Sequence, residues 1–88
     1  MSDDEALLAL LGAVRDGDEA DEPMDSDSLG ARLGWSPTDV ASRLTTARAQ
    51  MLIWGARVGG NPGPKFVDLE LTVQGRRFIA AAAATGDG

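Results

Sequence analysis

The apolar residues near the start of the chain recur at the spacing of an amphipathic helix. Ser2 and Glu5 match a capping box ahead of them, and the acidic residues of this stretch suit the positive end of a helix dipole. The apolar stripe itself consists of Leu7, Leu10, Leu11 and Val14. Such a stripe predicts a first helix that packs against a core. Leu8 and Gly12 fall on a different face, which either widens the core contact or serves as a dimer contact.

Two further helices are predicted, with a sharp turn between them. The second is short, roughly residues 26 to 33, because Asp25 can cap its start and Gly34 suits the left-handed conformation that ends a helix. The third begins at Ser36-Pro37-Thr38-Asp39, where a capping serine precedes proline at the first helical position and a carboxylate at the third. Its predicted buried stripe is Val40, Leu44, Ala47 and Met51.

The period then changes to that of β-strands. Residues 52 to 58 are rich in β-branched and aromatic side chains, and residues 66 to 71 alternate, which predicts a hairpin around the glycine- and proline-rich loop 59–64. The alternation places Val67, Leu69 and Leu71 on one face and Phe66, Asp68 and Glu70 on the other. Thr72 can cap a last helix in which Gly75 allows close packing against the sheet and Phe78, Ile79 and Ala82 share a face, ahead of a frayed tail at 85–88.

Size and composition restrict the classes of function. Eighty-eight residues with 43% apolar and 25% charged side chains predict one small folded domain, spanning residues 1–88. The chain has no cysteine and no histidine, which excludes disulfides, thiol and imidazole catalysis and the usual zinc sites. No apolar run is long enough to cross a membrane, and acidic rather than basic residues precede the first helix. We expect a cytoplasmic protein that is no enzyme and uses no cofactor.

Acidic residues are concentrated between the first and second predicted helices. Residues 16–27 hold seven of them, together with Gly17 and Pro23, and show no apolar periodicity. This composition predicts a solvated acidic loop at about 16–24. The run D-G-D-E-A-D at 16–21 lacks the spacing and the closing glutamate of a calcium loop, so no metal site is expected.

The order helix, helix, helix, strand, loop, strand, helix resembles the winged helix-turn-helix of bacterial transcription regulators, from about Leu7 to Ala82. The resemblance lies in "SLGARLGWSPTDVASRL" and in "VDLELTVQGRRFI", where Leu71-Thr72-x-x-Gly75-Arg76 is similar to the strand-to-helix junction of the multiple-antibiotic-resistance and PadR-like groups. It implies an α+β fold of three helices, a two-stranded antiparallel wing hairpin and a C-terminal helix. It also implies DNA binding by the third helix, in the major groove, and by the wing, on the backbone.

The chain's charge of −6 is unevenly distributed, and this matters for a protein that resembles DNA-binding regulators. Residues 1–27 contain ten acidic and one basic residue, giving −9, whereas residues 28–88 contain four acidic and seven basic residues, giving +3. The half expected to face DNA is therefore mildly basic. The predicted contact residues are Thr38, Ser42, Arg43, Thr45, Thr46, Arg48, Arg57 and Lys65, with Arg32 as a weaker candidate. Arg76 and Arg77 are expected to pair with the acidic loop.

Two hypotheses follow for the function. In the first, the protein is a small regulator that binds double-stranded DNA, as a homodimer because one copy offers few phosphate contacts. In the alternative, the same fold is a protein-protein interaction module that uses the acidic segment or the apolar Leu8 face. A variant of the first hypothesis has the acidic loop fold over the third helix and inhibit it.

Overall fold

The structure, a computed structural model, describes residues 3–22, 24–59 and 65–85. Its elements follow the predicted order: α1 (Asp3–Glu19), α2 (Ser26–Leu33), α3 (Pro37–Ala49), β1 (Ile53–Val58), β2 (Lys65–Leu71) and α4 (Val73–Thr85). The strands form a two-stranded antiparallel hairpin. Within the described residues, no helix combines the length and the apolar character needed to cross a bilayer. Ser2, residues 60–64 of the predicted wing loop and residues 86–88 of the predicted tail lie outside the described residues.

The core lies where the three N-terminal helices meet the hairpin. The predicted α1 stripe is buried, and it packs with residues of α2, α3 and both strands. The largest fully buried side chains are Leu10, Leu11, Val14, Leu29, Val40, Leu44, Ile53, Phe66 and Leu69. Leu8 and Gly12, on the other face of α1, are half-buried.

The turn between α2 and α3 forms as its local signals predict. The Asp25 side chain accepts a hydrogen bond from the Ser28 N–H at 2.7 Å and caps α2. Gly34 adopts the left-handed conformation, with φ 71°, and ends the helix. The Trp35 N–H then reaches back to the Gly30 carbonyl at 3.0 Å, which completes a Schellman motif.

The first helix is longer than predicted, so the expectation of a loop beginning at residue 16 was wrong. α1 continues to Glu19. Gly17 is buried, and a Cβ at this position would lie 2.6 Å from Cγ of Met24, so only glycine allows this approach. Asp18 accepts a hydrogen bond from the Leu71 N–H at 2.9 Å. The hydrogen bond from Leu71 joins residues distant in sequence, and neither contact leaves a periodic apolar signal.

A β-bulge changes which residues of β2 face the core. Ala56 pairs with Val67 but Trp54 pairs with Glu70, so β2 carries one extra residue, and Asp68 there has φ 55°. The simple alternation was therefore wrong for Phe66, which was expected on the face opposite Leu69 and Leu71 but is buried as they are, at 1% exposed.

The last helix is fixed to the end of α3 by its first turn. Thr72 caps α4 as predicted: its hydroxyl oxygen accepts from the Gly75 N–H at 2.9 Å and donates to the Met51 carbonyl at 2.6 Å. A Cβ on Gly75 would collide with the Leu52 carbonyl oxygen, so glycine is required for this approach. The start of β1 is thereby held against both helices.

Candidate nucleic-acid interface

The third helix is capped at both ends, which fixes its position on the domain. The Ser36 hydroxyl accepts from the Asp39 N–H at 3.2 Å at the N-terminus. At the other end, the Leu52 N–H bonds to the Ala47 carbonyl at 3.0 Å across Met51, which is left-handed with φ 62°. This is a second Schellman motif, with a methionine where glycine is usual.

The exposed face of α3 is polar and carries small side chains. Residues spaced by four and three share a face of a helix. Thr38, Ser42 and Thr45 have this spacing and are exposed. The Thr45 hydroxyl donates to the Ala41 carbonyl at 2.8 Å, and the Thr46 hydroxyl donates to the Ser42 carbonyl at 3.2 Å. The hydroxyl oxygens keep lone pairs that accept hydrogen bonds from a ligand.

Two arginines flank this face on opposite sides of the helix. Five residues advance an α-helix by about 500°, which puts Arg43 and Arg48 roughly 140° apart. The Arg43 Cζ lies 5.9 Å from the Trp35 ring centroid, within reach of a cation–π interaction. Arg48, on the other flank, points toward the hairpin and is exposed.

An open cleft of about 480 Å³ lies between the C-terminal half of α3 and the hairpin. Arg48 of α3 and Arg57 of β1 stand on its two walls. The cleft is lined by Thr45, Arg48, Ala49, Met51, Trp54, Arg57 and Phe66. This lining includes two cations and no carboxylate. In the described part of the chain, neither Arg48 nor Arg57 has a carboxylate partner.

Met51 belongs to this cleft rather than to the core. The sequence pattern placed it in the buried stripe of α3, which was wrong: Met51 is 49% exposed. The helix ends at Ala49, and the left-handed conformation of Met51 turns its side chain out of the helical register. Val40, Leu44 and Ala47, the rest of the predicted stripe, are buried.

Lys65 is not part of the cleft, although it follows the wing loop directly. Its Nζ lies 3.1 Å from a carboxylate oxygen of Asp27, at the start of α2. The next residue, Phe66, lines the cleft, and successive side chains of a strand point to opposite faces. The structure therefore brings Thr45, Arg48 and Arg57 together and places Lys65 elsewhere. The other predicted contact residues, Thr38, Ser42, Arg43 and Thr46, lie along α3.

Three cations outside the cleft meet the acidic segment. Besides the Lys65–Asp27 pair, Arg32 pairs with Asp16, and Arg76 lies 3.7 Å from Asp18. We call these three carboxylates and three cations the acidic seam; they tie α1 and α2 to one another, to the hairpin and to α4. The expectation for Arg76 is confirmed, whereas Arg77 has no ion pair within the described residues.

Sequence reasoning missed Trp54 as a surface residue. Trp54 is 53% exposed although it lies in a strand. The available signal is its place in the sequence, three residues before Arg57 and six after Arg48. Within the described residues, no group of three or more aspartates and glutamates is arranged to hold a metal ion.

No family model and no curated protein matches the chain. Solved structures do. The chain is similar to MepR, a transcription regulator of the Staphylococcus aureus multidrug efflux pump MepA, with a TM-score of 0.70 and 17% identity, covering 92% of this chain and 56% of that one. It is also similar to the PcaV transcriptional regulator from Streptomyces coelicolor, solved with its natural ligand, with a TM-score of 0.67 and 20% identity, covering 90% and 52%.

These likenesses establish the fold. The chain spans just over half the length of either regulator, and four helices with an antiparallel hairpin match across almost all of it. The prediction of an α+β winged helix-turn-helix is confirmed. The chain therefore has the winged helix-turn-helix fold that both of these transcription regulators contain.

Proposed function

We propose that this protein is a DNA-binding transcription regulator that places α3 in the major groove and the hairpin on the backbone. One observation carries the proposal: the small polar face of α3 continues into a cleft whose two arginines have no carboxylate partner in the described residues. Small hydroxyl side chains let the helix approach base edges closely, and arginines neutralise phosphates. Both similar structures are transcription regulators.

The net charge of −6 does not oppose this function, because ten of the fourteen acidic residues lie in residues 1–27 and none lines the cleft. Asp16, Asp18 and Asp27 are paired within the acidic seam. At physiological salt the Debye length is about 8 Å, so charges beyond that distance have little effect on the cleft. The local charge of α3 and the cleft is what an approaching phosphate meets.

Each predicted contact residue has a distinct role in this proposal. The hydroxyls of α3 meet base edges and backbone oxygens, and the arginines meet phosphates, while Lys65 contributes after it exchanges Asp27 for a phosphate. The hydroxyl group consists of Thr38, Ser42, Thr45 and Thr46, and the arginines are Arg43, Arg48 and Arg57. A regulator of this kind acts in the cytoplasm, where it meets DNA, and needs no cofactor.

Two copies on a two-fold DNA site complete the proposal. About four phosphate contacts per copy give a slope of only about −4 in log K against log salt, so a single copy binds weakly. The outer face of α1 offers a contact surface, because Leu8 is half-buried and a Cβ at Gly12 would meet nothing within 4 Å. Sedimentation of the protein with and without duplex DNA measures the number of copies bound.

Fluorescence anisotropy with a labelled duplex tests the function. We expect wild-type affinity to fall steeply between 50 and 200 mM salt, as counterion release requires. Ser42→Glu puts a negative charge in the middle of the α3 face and is expected to weaken binding by more than about tenfold. Ala83→Glu makes the same charge change at an exposed position of α4 and serves as the control. If duplex affinity changes neither with salt concentration nor in the Ser42→Glu variant, the proposal is contradicted.

The alternative, a protein-interaction module, is favoured by one observation. Asp21, Glu22 and Glu70 line a second pocket of about 340 Å³ beside Asp18 and Arg76, and a basic partner would complement it. Charge-neutral variants of Asp21 and Glu22 separate the two functions, because they weaken a protein partner but leave DNA affinity unchanged or higher.

A further inference from the structure

Trp54 and Met51 form an exposed apolar floor that the contacts proposed so far do not use. They are 53% and 49% exposed, and both line the cleft between α3 and β1. Indole and thioether groups that stay exposed to water do not gain the favourable free energy of burial. Their position between two arginines indicates a ligand that brings anionic and apolar groups together.

The charges around the cleft define that ligand further. Arg48 and Arg57 stand on its walls, and no carboxylate lines it. Glu70 pairs with Trp54 across the hairpin, and it lines the separate acidic pocket beside Asp18 but not the cleft. An anion is therefore attracted to the cleft and is kept away from the neighbouring pocket.

We propose that the cleft binds one sugar–phosphate strand of the DNA, with a deoxyribose against Trp54 and Met51 and its flanking phosphates on Arg48 and Arg57. One phosphodiester strand separates the major groove from the adjacent minor groove. A chain that places α3 in the major groove and the hairpin on the backbone therefore holds that strand between the two elements, and the cleft lies between them. This inference rests on the proposed function.

The fluorescence of Trp54 reports whether a DNA strand occupies the cleft. The chain has two tryptophans, at 35 and 54, so Trp35→Phe leaves a single indole in the cleft while keeping an aromatic ring beside Arg43. We expect acrylamide to quench this indole freely in the unbound protein and much less on saturation with duplex. This readout requires no change at Trp54.

Affinity provides the second readout. Trp54→Ala in the otherwise unchanged chain is expected to weaken duplex binding about tenfold, the value of covering the exposed part of an indole. It leaves the salt slope unchanged, because no charge is removed. Val73→Ala removes a side chain that is also exposed, at 67%, but lies on α4, and serves as the matched control.

Three results overturn the inference, and they are distinguishable from one another. If duplex binds with steep salt dependence while Trp54 stays open to acrylamide and Trp54→Ala matches Val73→Ala, the strand lies elsewhere and the proposed function stands. If benzoate or an acidic peptide shields Trp54 and duplex does not, the cleft holds a different anion. If the wild-type chain binds no duplex at all, the proposed function fails together with the inference.

Discussion

The cleft and the acidic seam contain the same type of cation in opposite situations. In the cleft, Arg48 and Arg57 have no carboxylate partner among the described residues. In the seam, Arg32, Lys65 and Arg76 each meet an acidic side chain of α1 or α2. Composition alone does not distinguish these arginines. The fold does, because it brings Arg32, Lys65 and Arg76 to the acidic segment, while no carboxylate lines the cleft that holds Arg48 and Arg57.

The comparison shows why total charge is a poor guide to the ligand of a small protein. Most carboxylates in the seam are well exposed, and such ion pairs each contribute about 0–1 kcal/mol to stability. Their larger effect is on recognition, since paired charges no longer attract or repel a distant ligand strongly. The surface that an approaching polyanion meets is set by the cations that remain unpaired.

Removing two positive charges from each region gives the sharpest test of the comparison. Arg48→Gln with Arg57→Gln is expected to weaken duplex binding about 30-fold and to reduce the salt slope by about two, because each arginine loses a phosphate contact. Arg32→Gln with Arg76→Gln makes the same change of charge in the seam. It is expected to keep duplex affinity within about threefold and to lower the free energy of unfolding by about 1–2 kcal/mol. Anisotropy and urea titrations measure both quantities, and equal losses of affinity would show that only net charge matters.

Asp18 is expected to carry most of the seam's contribution to stability. Its side chain is 17% exposed, accepts from the Leu71 N–H and lies beside Arg76. Asp18→Ala leaves that N–H without its partner and is expected to cost about 2 kcal/mol in the free energy of unfolding. Glu19→Ala, at an exposed neighbouring position, is the control, with an expected change below about 0.5 kcal/mol. Similar values for the two variants in chemical denaturation would mean that Asp18 does not hold the end of β2.

The smallest expected effect concerns Lys65, the hairpin residue that is paired with Asp27 in the acidic seam. Asp27→Asn frees Lys65 and is expected to raise duplex affinity about twofold to threefold at low salt, with the gain disappearing as salt increases. Glu22→Gln removes the same charge without contacting Lys65. An equal gain in both variants would assign the effect to overall charge instead of the ion pair.

Much of the fold was predictable because its signals are local. Asp25, Gly34, Ser36 and Thr72 each act within a few residues of their own position, and each forms the predicted cap or turn. The element order follows from these signals together with the apolar periodicity.

Apart from Met51, whose left-handed conformation is a local effect, the errors concern contacts between residues distant in sequence. The extension of α1 depends on Asp18 reaching Leu71. The burial of Phe66 depends on the bulge, which forms where a Cβ at Gly55 would lie 2.6 Å from Cδ2 of Leu69. A glycine inside a strand was the available signal for that irregularity. The cleft could not be predicted, since its walls come from α3 and β1 and meet only in the folded chain.

The bulge affects which changes of the hairpin sequence the fold can accept during evolution. Pairing between the strands is regular from Ala56–Val67 to Val58–Lys65, so the direction of the hairpin is fixed at its base, beside Asp68. The residues that join Val58 to Lys65 can then be lengthened, shortened or replaced without redirecting the strands that carry them. The length and the side chains of the wing loop can therefore change in evolution, while the position of the hairpin on the domain is kept.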